Sequence, residues 1–294
     1  MTGRRSRPMA VCALLLVLLT ACSAPSSHRR SPQPGTGRYV ALGDSFTAAP
    51  LAGGLGRPAG CLRSVKDYPS LVATALGRSV SLVNASCYGA STGDLSHAQH
   101  TVGQTNPAQL SALSAADRLV TVQIGGDDIG FGKIASTCGA LSLTSPTGNP
   151  CQRHYTQGGT DQLARAVTRA APQVAAALAA IRARAPHARV LVVGYPDLLP
   201  VRGNGCWPEV TIARGDLPYL RGVETKLNTV LAAAAHRAGD TFVDSYTPSI
   251  GHDACQHRGT KWVEGLIPTS AAVPMHPNVL GEQAMAREIV AALG

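Results

Sequence analysis

The sequence predicts an α/β fold of three layers, with helices on both faces of a five-stranded, mainly parallel sheet. Three observations carry that prediction. Five short apolar runs alternate with segments whose apolar residues recur every three or four positions. Neither an internal repeat nor a second block of strands divides the chain. Finally, the residues of unusual chemistry fall just past the carboxyl ends of the runs, where open parallel sheets bind their ligands.

The first 21 residues stand apart from that core. Arg4, Arg5 and Arg7 precede an apolar run from Met9 to Ala21, which is too short to span a bilayer but suits a signal peptide. The run ends in Leu19-Thr20-Ala21-Cys22, which resembles the lipobox of bacterial lipoproteins. That resemblance implies lipidation at Cys22 and membrane contact without a transmembrane helix. Residues 22–37, rich in Ser, Pro and Gly, have nothing to bury and read as a flexible tether. The folded domain is expected over 38–294.

Within it, strands are expected at 39–43, 80–85, 119–124, 190–195 and 241–244. Leu163, Val167, Val174, Leu178 and Ile181 keep the spacing of one buried helix face, interrupted by Pro172. A second long helix is expected over 216–237, and a last one capped by Asn278 and ending near Leu293. Gly-, Pro- and Cys-bearing stretches at 50–66, 136–160 and 199–215 read as pinned loops.

Composition narrows the function. The 294-residue chain is 45% hydrophobic and 15% charged, enough for one large core. Its net charge of +9 falls to +6 without the three leader arginines, and the remaining excess is scattered. With 4% aromatics and no basic run, nucleic-acid binding is excluded. Apart from Cys12 and Cys22, six cysteines remain: Cys61, Cys87, Cys138, Cys151, Cys206 and Cys255. An even number in an exported chain points to disulfides. Six allow fifteen connectivities; the simplest set joins neighbours, 61–87, 138–151 and 206–255, each worth roughly 3–4 kcal/mol by loop entropy. No C-x-x-C spacing suggests a metal site.

Four spots gather at one edge of the predicted sheet: Ser45 in "GDS", Gly89 in "NASCYGAST", "GGDD" at 125–128, and His276 in "MHPN". A Ser at a strand end is ordinarily a cap, and a lone His ordinarily a polar loop residue. The order and spacing of the blocks, however, resemble the GDSL or SGNH hydrolase family of esterases and lipases, over about residues 38–293. The three-disulfide layout and "VDSYTPSIGHDAC" resemble secreted actinobacterial lipases of that family. The resemblance implies a flavodoxin-like sheet and acyl transfer without metal or cofactor. In it, Ser45 is the nucleophile and His276 the general base, and Ser45, Gly89 and position 127 form the oxyanion hole.

Two positions depart from the family pattern. Relatives carry Asn where this chain has Asp127, and an ionised carboxylate would oppose a developing oxyanion. Many place an Asp three residues before the histidine, where this chain has Val273; its backbone carbonyl is the expected orienter of the ring. Asp244 and Asp253 are remote alternatives. His97 and His100 have helical spacing but no third ligand, and His252 and His257 read as loop groups. The expectation is an exported carboxylic-ester hydrolase, lipid-anchored at the cell envelope or secreted. It would act as a monomer on a small-molecule or lipid ester. A polysaccharide O-acetyl esterase is one alternative, and a non-catalytic envelope protein impaired at Asp127 is another.

Overall fold

The computed structural model describes residues 1–3, 37–56 and 59–294. Residues 4–21 of the leader, Cys22 and nearly all of the expected tether lie outside the described residues. The main sheet contains β1 (Gly37–Gly43), β2 (Val80–Asn84), β5 (Asp117–Gln123), β6 (Arg189–Val193) and β7 (Thr241–Val243). They are hydrogen-bonded in the order β2-β1-β5-β6-β7, every pair parallel. All five expected strands are present, with ends within about two residues. A short antiparallel ribbon, β3 (Gln99–Thr101) with β4 (Gln104–Asn106), was not anticipated. Its residues are polar and lack the apolar alternation that marks a strand.

Alternation within each strand divides the interior in two, because successive side chains point to opposite faces. Tyr39, Ala41, Leu119, Leu191 and Val193 pack with Tyr68 and Val72 of α2 (Tyr68–Leu76) and Met285 and Ile289 of α8 (Val279–Leu293). Val40, Leu42, Val120, Val122 and Val192 face the other way. They meet Val174 and Ile181 of α6 (Gln162–Arg184) and Leu227 and Leu231 of α7 (Leu217–Ala238). Each of the buried Val, Leu, Ile and Met side chains among these contributes about 1.5–3 kcal/mol relative to exposure.

The helix ends follow their sequence signals. Asp161 caps α6 by accepting from Ala164 N at 2.9 Å, and Gly239, at φ 72°, closes α7. The helix α6 runs across Pro172 without the expected interruption. Asn278 caps α8, its side chain accepting from Leu280 N at 2.9 Å. The stretch 136–160 is not simply a loop: it holds the end of α4 (Phe131–Ser142) and all of α5 (Pro150–Tyr155). Cys138 and Cys151 join those two helices, and Cys61–Cys87 and Cys206–Cys255 are the other disulfides. These are the three nearest-neighbour pairs.

The strand order fixes where a site can form. The chain leaves β1 toward β2 on one side and returns to place β5 on the other, so β1 and β5 flank a switch point. Crevices at such points bind ligands beyond the carboxyl ends of the strands.

Candidate active site

Gly43 ends β1 against Gln123, the last residue of β5. A Cβ at Gly43 would sit within 2.5 Å of the Gln123 carbonyl oxygen, so only glycine allows this approach. Asp44 N then donates to that carbonyl at 3.0 Å and the chain turns into α1 (Ser45–Ala48). The cap of α1 is Asp44, whose Oδ1 accepts from Phe46 N at 2.9 Å. Ser45 is the first helical residue, and its hydroxyl is free for another partner.

That partner is His276. Its Nε2 lies 2.7 Å from Ser45 Oγ, both side chains being buried. The other ring nitrogen, Nδ1, lies 2.8 Å from the carbonyl oxygen of Pro274. A carbonyl only accepts, so the proton resides on Nδ1 and Nε2 is left as the acceptor facing Ser45. The expectation for Val273 is thus corrected by one residue. The Val273 carbonyl accepts from the His276 backbone N–H at 3.3 Å, which turns the chain so that the ring reaches Pro274. Met275, at φ 59°, takes the left-handed conformation of that tight turn.

The turn is held from behind. His276 O accepts from Glu264 N at 3.0 Å, and Met275 N donates to Glu264 O at 3.1 Å. The Glu264 carboxylate receives Asn278 Nδ2 at 2.8 Å, Thr269 N at 2.7 Å and the buried Lys261 ammonium at 3.1 Å. Burial opposes its ionisation, but these three donors prevail and hold its pKa below the ordinary value. The imidazole itself is packed against Phe46 and Phe131, with ring centroids 4.8 and 5.7 Å away. Burial lowers the His276 pKa to about 4, against a smaller upward pull from the Pro274 carbonyl.

Tyr195, just past β6, links the first turn to the loop after β5. Its hydroxyl donates to Asp44 Oδ2 and accepts from Gly126 N at 2.8 Å. A Cβ on Gly126 would lie 3.1 Å from that hydroxyl oxygen, so glycine suits the close approach. Burial, then the nearby Asp127, pushes the Asp44 carboxyl well above the usual carboxylate range. Asp127 itself is pushed up to about 6 by burial, then by Asp128 and Asp94. Asp128 is occupied elsewhere, accepting from Thr92 N and Oγ1. Sequence reasoning missed Tyr195. A polar ring at the carboxyl end of an apolar strand was the signal that could have found it.

Gly89 lies in a turn stapled on both sides. Cys87 N donates to Gly43 O at 3.1 Å, Tyr88 N donates to Cys61 O at 3.1 Å, and the Cys61–Cys87 disulfide joins them. Space does not dictate glycine here, but its φ of 73° does. Among the described residues no acceptor takes the backbone N–H of Ser45 or Gly89.

The remaining expectations separate cleanly. Asp244 accepts from Tyr246 N and Thr247 N, and Asp253 from Cys255 N and Gln256 Nε2; neither bonds His276. His97 follows α3 (Thr92–Ser96) and His100 lies on β3, both exposed, so their helical spacing reflects no shared helix. His252 stacks on Trp262 at 4.0 Å. Among the described residues no group of three or more His, Cys, Asp or Glu is arranged to hold a metal ion.

Beside the pair opens an apolar recess. Phe46, next to Ser45, and Met275, next to His276, line it together with Phe131, Ile134, Leu198 and Leu227. The site thus offers a hydroxyl, an unprotonated imidazole and an apolar recess side by side.

Comparison with known proteins settles the class: this is an ester hydrolase. The chain belongs to the GDSL-like Lipase/Acylhydrolase family, which matches residues 41–284. It is 38% identical to "Lipase 2" of Streptomyces coelicolor over 288 residues, covering 96% of this chain and 92% of that protein. Among solved structures it resembles the extracellular lipase of Streptomyces rimosus, with TM-score 0.70 and 27% identity over 87% of this chain and 100% of that one. Phospholipase A1 from Streptomyces albidoflavus NA297 is similar at TM-score 0.69 and 27% identity, covering 87% and 98%.

Proposed function

We propose that the protein hydrolyses carboxylic esters of medium or long acyl chains through a Ser45 acyl-enzyme, with His276 as general base. The 2.7 Å contact between Ser45 Oγ and His276 Nε2 carries this reading. Ser45 Oγ attacks the ester carbonyl while Nε2 takes its proton. The tetrahedral oxyanion is met by the N–H groups of Ser45 and Gly89 and by the Asp127 carboxyl in its protonated form. Collapse expels the alcohol, which takes the proton back from Nε2. Water, deprotonated by the same nitrogen, then attacks the acyl-enzyme; the bond to Ser45 Oγ breaks, the acid leaves, and Oγ takes the proton back from Nε2.

A carbonyl, rather than a carboxylate, orients the base. Pro274 fixes the tautomer but supplies no full charge to the imidazolium, so the machinery is a dyad. The apolar cavity favours an acyl chain longer than acetate and disfavours the polysaccharide O-deacetylase reading. The similar proteins are named lipases and a phospholipase A1, which supports lipid esters as the substrate class. The leader and the three disulfides support export, and the Leu-Thr-Ala-Cys sequence supports an acyl anchor on Cys22.

A serine-directed fluorophosphonate is the direct test. Labelling of the oxidised protein, lost in Ser45→Ala, is expected. Labelling that persists in that variant would remove Ser45 from the mechanism. Rates on p-nitrophenyl esters of increasing chain length, beside acetylated xylan, test the acyl preference.

A further inference from the structure

One wall of the acyl cavity is out of character. Glu224, on α7, lines the cavity among aliphatic and aromatic side chains and contributes its only carboxyl group. The residue is 9% exposed, and its Oε1 is buried without a hydrogen-bond partner among the described residues. The Leu198 backbone lies close enough to pull the carboxyl's pKa down, though less strongly than burial and Asp197 push it up.

We propose that Glu224 forms a polar subsite within the acyl cavity and hydrogen-bonds a hydroxyl group carried on the acyl chain of the ester. Hydroxylated fatty-acyl esters are then the preferred substrates. The inference rests on the reading of this cavity as the acyl site.

The chemistry of the group selects the ligand. A pure hydrocarbon chain leaves Oε1 unmatched, and Leu or Met at position 224 would serve it better. Burial, then Asp197, holds the carboxyl well above its ordinary pKa, so it stays neutral and both donates and accepts. A cationic ligand group would be repelled by the nearby Arg221, whose guanidinium already binds the Pro200 carbonyl, and an ionised group of either sign would be desolvated among apolar side chains. A neutral hydroxyl matches a neutral acid. A site built to bond a hydroxyl also discriminates against the analogue that lacks it.

The test compares kcat/KM for ethyl decanoate and its monohydroxylated positional isomers with the oxidised protein. At least one isomer is expected to exceed decanoate by roughly five- to tenfold, the worth of one hydrogen bond. In Glu224→Leu that ratio is expected to fall to about one, and in Glu224→Gln to survive in part, because an amide also donates and accepts. No isomer preferred by the wild-type protein, or a ratio unchanged in Glu224→Leu, would overturn the proposal. Should Glu224→Leu fail to fold, the wild-type panel and Glu224→Gln still decide it. No reaction with any ester or with the fluorophosphonate would sink the esterase reading and this subsite with it. Reaction without discrimination sinks the subsite alone.

Discussion

His276 gives its Nδ1 to the carbonyl oxygen of Pro274, 2.8 Å away and only two residues earlier in the chain. The ring is thereby oriented by its own turn, with no distant carboxylate. The carboxyls of Asp244 and Asp253 accept from backbone and amide donors of their own loops. Replacing either with Asn therefore leaves kcat within about twofold, since no stabilising charge is removed from the imidazolium. A loss of a hundredfold or more in a variant with an unchanged melting temperature would mean that a remote acid serves the dyad.

The pH profile follows from two opposed shifts. His276, with a pKa lowered to about 4, is an unprotonated base above that pH. Asp127, raised to about 6, can donate to an oxyanion only below that pH. The rate is therefore expected to peak near pH 5 and to decline through pH 6–7, as the donor becomes a carboxylate. At about 4 Å and an effective dielectric of 20, that charge opposes the oxyanion by on the order of 4 kcal/mol. Asp127→Asn keeps a donor at every pH, so it should abolish the alkaline limb and raise kcat at pH 7. An alkaline limb that survives in Asp127→Asn would place its origin elsewhere.

Tyr195 binds two parts of the site that have no covalent connection nearby: the Asp44 carboxyl and the Gly126 N–H. Tyr195→Phe leaves both groups buried without this partner, at about 1–3 kcal/mol of stability. The loop carrying Asp127 loses its tie to the Ser45 turn, and kcat should drop roughly ten- to hundredfold with little change in KM. A rise in KM at constant kcat would show that Tyr195 shapes the cavity rather than the oxyanion side.

Periodicity made the sheet legible, because Val40, Val120 and Val192 alternate with Tyr39, Leu119 and Leu191 across two buried faces. The Ser45–His276 pair was legible for a related reason. Ser45 and His276 each sit at an element boundary, which strand ends and the Asn278 cap expose in one dimension. What stayed hidden depends on contacts between distant segments. Tyr195 reads as strand until Asp44 arrives opposite it, and Glu224 reads as one more polar residue on a helix until the cavity closes around it. The one-residue error at Val273 has the same origin: which carbonyl meets a ring depends on the left-handed Met275, and no spacing rule encodes that.

Stability should fall as pH rises from 5 to 8. Burial holds Asp67 near 6 and Asp197 near 7, and pushes Asp44, Glu224 and Glu282 well above the ordinary carboxylate range. The unfolded chain releases these protons near pH 4, so above that pH the folded state binds more protons and loses stability as pH climbs. His276 acts oppositely: neutral when folded above about 4, it adds stability as pH rises toward 6.5. Glu264, with its pKa lowered, contributes fully throughout this window and loses its contribution only in more acidic solution. Several carboxyls outweigh one imidazole. Scanning calorimetry of the oxidised Ser45→Ala protein should find a higher melting temperature at pH 5 than at pH 8. A melting temperature that climbs steadily over that range would mean these carboxyls are ionised and paired in the folded protein, contrary to the buried, neutral state described for them.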